Sequence, residues 1–145
     1  MLLSGGCACG AVRYELGSAP FASGWCHCTT CQRISGAPGM VYASIGRGDF
    51  TYVEGAEKVK PLVVTSFAER AFCADCGSPL TIAYEFQPET IDFAVCTLDD
   101  PAGAPPENHI FWASRPGWLE IDDGLPKHDR FRPGTRGLEG TEPPE

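Results

Sequence analysis

Seven of the eight cysteines in this 145-residue chain stand in three tight groups. Cys7 and Cys9 form CAC, Cys26, Cys28 and Cys31 form CHCTTC, and Cys73 and Cys76 form CADCG, while Cys96 stands alone. At CxC and CxxC spacing one turn can present two thiolates to a single metal ion, and in a reducing compartment such clusters read as metal sites before disulfides. An all-sulfur ligand set favours zinc over magnesium or calcium, with an iron–sulfur cluster as the lesser alternative. A lone cysteine such as Cys96 reads as a small apolar residue.

Seven clustered ligands do not make two closed tetrahedra; they divide into four and three. Structural zinc sites close with four protein ligands, whereas catalytic sites keep one position for water or substrate. Spacing alone does not say which four thiols close. Three histidines were weighed as an eighth ligand. His27 lies between Cys26 and Cys28 on one strand and should face away from both. His109 and His128 sit in loop-like contexts, where surface or hydrogen-bonded roles are expected. Cys96 lies opposite the apolar face of its strand, within reach of a metal.

Short runs of alternating apolar and polar residues predict half-buried strands around Val12–Leu16, Phe50–Tyr52, Leu80–Tyr84 and Ile91–Cys96. The runs GMVYASI (39–45) and LVVTSF (62–67) are more continuously apolar and predict central strands. The single helix expected is TTCQRIS (29–35), capped by Thr29 and stopped by Gly36. Its first amides should point at Cys26 and Cys28 and favour their thiolates. The fold class that follows is mainly β, a small zinc-stabilised set of short antiparallel strands with one short helix. One domain over 1–132 is expected, its aromatic segment (Phe111, Trp112, Trp118) folded back on the core, followed by a loosely held tail over 133–145.

A formal charge of -8 with only eleven Lys and Arg, none clustered, argues against a nucleic-acid partner. No apolar run is long enough to span a membrane, and MLLSGGC lacks the features of a secretory signal, so a cytoplasmic location is the expectation.

In order along the chain, GGCACGAVRYE, CHCTTCQRISGAP, FCADCGSPL, LDDP and HIFWASRPGWLEIDDGLPKHD resemble the glutathione-dependent formaldehyde-activating enzymes and their relatives, which include the centromere protein V domain. The resemblance runs from Leu3 to Phe131. It implies a tent-like β fold around two zinc ions per chain. Cys7, Cys9, Cys73 and Cys76 would close the structural site; Cys26, Cys28 and Cys31 would form the open, catalytic one. The implied reaction adds the thiol of glutathione to formaldehyde to give S-hydroxymethylglutathione, and its reverse is a carbon–sulfur lyase step.

Three thiolates give zinc a net charge of about -1 and make it a weak Lewis acid, better suited to holding a thiolate than to polarising water. The partner is thus a small-molecule thiol such as glutathione, whose carboxylates need cations. Arg33, Arg47, Arg70 and Arg115 are available, and Arg33 is nearest the trio in sequence. The competing expectation is a non-catalytic zinc module that binds another protein, with the trio completed by Cys96 or a histidine. The aromatic C-terminal segment suits a pocket lining or a homo-oligomer interface equally.

Overall fold

A computed structural model of the chain describes residues 2–133. The expected tail, past Pro133, lies outside the described residues. The chain is mainly β with one short α-helix. Strands β1 (Ser4–Gly6), β2 (Arg13–Leu16) and β5 (Phe50–Glu54) form a three-stranded antiparallel sheet in the order β1-β2-β5. The larger sheet has seven strands: β3 (Phe21–Cys26), β4 (Met40–Gly46), β6 (Val59–Thr65), β7 (Ala68–Cys73), β8 (Pro79–Tyr84), β9 (Thr90–Ala94) and β10 (His109–Ile110). Their order is β10-β3-β4-β9-β8-β7-β6, antiparallel except where β10 runs parallel to β3.

The two-residue period of β4 gives the large sheet two different faces. Ala43 and Ile45 join Phe93 of β9 against Tyr14 and Leu16 of the small sheet, all at most 1% exposed. Tyr42 and Ser44 face the other way and line a cavity with Asp92. The run 39–45 is therefore central, as its composition suggests. The run 62–67 is not, because β6 is the last strand of the sheet and leaves Val63 and Val64 65% and 52% exposed. Apolarity reports what a strand can bury; its neighbours decide what it does bury.

Helix α1 spans Thr29–Ser35, and Gly36 ends it in the left-handed region at φ 67°. The cap is Cys28, not Thr29: its sulfur accepts from the Cys31 amide at 3.3 Å. The alternation through Ile91–Cys96 holds only as far as Ala94; Val95–Thr97 form a 3-10 turn that leaves Cys96 exposed. In the C-terminal segment Phe111 is buried and Trp112 packs on the core histidines. Trp118 departs from the expectation, being 73% exposed.

Phe93 makes the central contact between the sheets, and large-to-small changes at such sites cost the transfer energy and the cavity left behind. Phe93→Ala should lower unfolding free energy by about 3–5 kcal/mol in urea titrations, whereas Val64→Thr on exposed β6 should change it by less than about 0.5 kcal/mol.

Candidate metal centres and the adjoining cavity

Two turns of the same design bring Cys7, Cys9, Cys73 and Cys76 together. In the first, the Gly10 amide bonds to the Cys7 carbonyl at 3.1 Å and the Val12 amide to the Cys7 sulfur at 3.2 Å. In the second, the Gly77 amide bonds to the Cys73 carbonyl at 2.7 Å. Gly10 and Gly77 both have φ 80°, a left-handed conformation that glycine adopts without a Cβ clash. The Ala8 amide donates to Ser78 Oγ at 2.9 Å and joins the two turns across 70 residues. The four sulfurs lie within 4.8 Å of one another. A tetrahedron with metal–sulfur bonds of about 2.3 Å has edges of about 3.8 Å, so these thiols fit one such ion.

Cys26, Cys28 and Cys31 make the second group, again with sulfurs within 4.8 Å of one another, and among the described residues no fourth histidine, cysteine or carboxylate joins them. Cys26 ends β3, and Cys28 and Cys31 are the cap and first turn of α1. Cys31 is 1% exposed, and hydrogen bonds from Cys26 and Cys28, together with Arg70, hold its thiol well below the usual range. Cys26, bonded to the Cys28 and Cys31 sulfurs, is pushed far up. Cys31 is thus the first thiolate of the trio.

Arg70 is the cation the fold brings to this group. It projects from β7, is 9% exposed, and donates through Nη2 to Cys31 Sγ at 3.5 Å and through Nη1 to the Tyr42 hydroxyl at 3.3 Å. Burial works most strongly against its charge, but the Cys31 thiolate, through its charge and its hydrogen bond, together with Tyr42 and Tyr84 holds the guanidinium protonated. Arg33, nearer in sequence, is exposed on α1 and lines neither cavity beside the trio. Arg115 lies over the Trp112 ring at 4.3 Å, and Arg47 lines a separate surface groove.

Two cavities meet at the trio. One is lined by Cys26, Cys28 and Cys31 with Phe67, Arg70 and Phe111. The other runs from Cys26 along the sheet to Ser44 and Asp92. Cys26, Tyr84, Ile110 and Phe131 belong to both. Burial, and after it the Asp92 charge, holds the Tyr84 phenol well above its ordinary range, so at this junction it keeps its proton and can donate a hydrogen bond.

His27 and Cys96 take no part in the trio. His27 is fully buried on the opposite face of β3, bonded through Nδ1 to the Pro38 carbonyl and through Nε2 to His109 Nδ1, both at 2.8 Å. His109 is also fully buried and reaches Asp123 from Nε2 at 2.7 Å. Both rings stack on Trp25 and meet the edge of Trp112. The carbonyl and the carboxylate only accept, so three bonds need three protons where two neutral imidazoles carry two. Burial holds the His27 imidazole below its ordinary range. His128, half-buried, contributes backbone bonds to His109 and Trp112. Sequence reasoning missed this chain because its partners are 82 and 14 residues apart and share no motif.

The family model for the glutathione-dependent formaldehyde-activating enzyme matches residues 2–114. The chain belongs to that family. It is 33% identical over 129 residues to a Halomonas elongata protein provisionally named as a glutathione-dependent formaldehyde-activating enzyme, covering 84% of this chain and 82% of that one. It is 32% identical over 80 residues to a Schizosaccharomyces pombe protein named as an uncharacterized lyase, covering 55% of this chain and 56% of the other. Its fold is similar to the crystal structure of a Rhodobacter sphaeroides protein, with a TM-score of 0.58 at 23% identity over 86% of this chain and 98% of that one.

The hydrogen bond from His109 lowers Asp123 from 3.8 to about 2. Between those values the unfolded chain binds more protons than the folded one, so this stabilisation is complete above about pH 4 and lost as pH falls towards 2. Asp123→Asn should therefore lower Tm at pH 7, and the gap from the unchanged protein should narrow in melts taken from pH 4 downward.

Proposed function

We propose that this protein is a zinc-dependent carbon–sulfur lyase that forms and breaks adducts between a small-molecule thiol, glutathione in the first instance, and a small aldehyde such as formaldehyde. The observation that carries the reading is a trio of convergent thiols with no fourth ligand among the described residues, opening on a cavity and backed by a buried arginine. Cys7, Cys9, Cys73 and Cys76 would hold a structural zinc and Cys26, Cys28 and Cys31 a catalytic one. What zinc supplies at a three-thiolate site is positive charge that keeps an incoming thiol deprotonated. The names of the relatives support an enzyme of this kind, and the absence among the described residues of a helix long and apolar enough to cross a membrane fits the expected cytoplasmic location.

The remaining work falls to the chain's own side chains. Arg70 offsets the charge of about -1 that three thiolates leave around a divalent ion, and it does so out of water, where the effect is larger. In the forward direction the thiol sulfur forms a bond to the carbonyl carbon and the C=O π pair moves to oxygen. The proton lost from sulfur ends on that oxygen. Tyr84, held as a neutral phenol where the two cavities meet, is the group we assign to donate a hydrogen bond to the developing oxyanion. In reverse the same hydroxyl donates to the same oxyanion as its electron pair re-forms the C=O bond, the C–S bond breaks and the proton returns to sulfur. A protein-interaction module closed by Cys96 or a histidine has less support, since Cys96 is exposed and away from the trio and His27 and His109 are bonded to each other.

Metal analysis should find two zinc ions per chain, with Cys28→Ser retaining one. Glutathione should slow removal of one of the two by a chelator; identical removal rates with and without it would sink the thiol reading. Tyr84→Phe should lower kcat for adduct formation about 100-fold with little change in KM.

A further inference from the structure

The cavity that runs from Cys26 along the sheet has ends of different chemistry. One end is the thiol trio. At the other, Asp92 and Arg132 line the wall together with Ser44, Gln87 and Asn108. Ser44 Oγ donates to Asp92 Oδ1 at 2.6 Å, which leaves Oδ2 for a second donor. Burial pushes the Asp92 carboxyl up to about 6, against the Ser44 bond and the nearby Arg132 charge. A carboxylate in such a place gains most from a cation brought into contact with it. Gly24 leaves the floor between the two ends without a side chain, and a Cβ there would stand 2.4 Å from Asn108 Oδ1.

We propose that this polar end recognises the α-amino-acid head of the thiol substrate, Asp92 taking its ammonium and Arg132 its carboxylate. The proposal rests on the thiol-adduct reading above and adds the feature that selects among thiols. A zwitterionic head answers both side chains at once, whereas a plain carboxylate would face Asp92 and a plain amine would face Arg132. The separation fits. Cys26 pairs with Met40 and Asp92 with Ser44, so the two ends lie four residues apart along β4 and two strands apart. That is roughly 13 Å by about 10 Å, or about 16 Å between backbones. From its thiol sulfur to the α-carbon of its γ-glutamyl head, extended glutathione spans about 9 Å over seven bonds, and the side chains reaching in from each end take up the difference. A two-carbon thiol occupies the trio end alone.

Calorimetric titration of the zinc-loaded protein with glutathione, N-acetylated glutathione and 2-mercaptoethanol tests this directly. Unchanged protein should bind glutathione at least tenfold more tightly than its N-acetylated form, which lacks the ammonium. Asp92→Asn, which keeps an acceptor for Ser44, should abolish that preference and lower the glutathione to 2-mercaptoethanol affinity ratio about tenfold. Arg132→Gln should lower the ratio similarly but keep the preference for a free ammonium. Equal binding of glutathione and its N-acetylated form to the unchanged protein, or a preference that survives Asp92→Asn, overturns the head site and leaves the thiol reading standing on 2-mercaptoethanol. Failure of all three thiols to bind overturns both.

Discussion

The alternation of the extended backbone from the end of β3 at Cys26 to the α1 cap at Cys28 is the constraint on which the site depends. Cys26, His27 and Cys28 are consecutive, and an extended backbone sends neighbours to opposite sides. The thiols go to the cavity and the imidazole to the interior, where it meets His109, Trp25 and Trp112. A shift of register by one residue would exchange the two sets. The His27–His109–Asp123 chain opposes such a shift, because it fixes β10 and the segment after it against the back of the strand that carries the thiols.

A second constraint is charge. The chain is strongly acidic, yet the cavity face holds a buried guanidinium against a thiolate. An unpaired buried cation is costly, so Arg70 and Cys31 each make the other tenable. Stability and reactivity are coupled there: the arrangement that satisfies Arg70 also keeps Cys31 ionised and ready to bind a metal.

Much of this was legible in the sequence. The three cysteine groups, the four-plus-three division, the αL stop at Gly36 and the turn of His27 away from the thiols follow from spacing and local backbone rules. What was not legible depends on pairing across long separations. Arg33 is nearer the trio than Arg70 in sequence, but β7 delivers Arg70 to Cys31, while Arg33 falls on the exposed side of a two-turn helix. The run 62–67 looks central because nothing local records that β6 is last in the sheet. Thr29 has the better capping chemistry, but the sulfur of Cys28 occupies the position by accepting from the Cys31 amide.

The walls of the cavity are not all of one origin. All seven clustered cysteines lie within the family-matched span of residues 2–114, whereas Phe131 and Arg132 lie beyond it. During synthesis Cys26, Cys28 and Cys31 leave the ribosome about a hundred residues before Arg132 does. A nascent chain thus carries its reactive sulfurs well before the wall that will screen them.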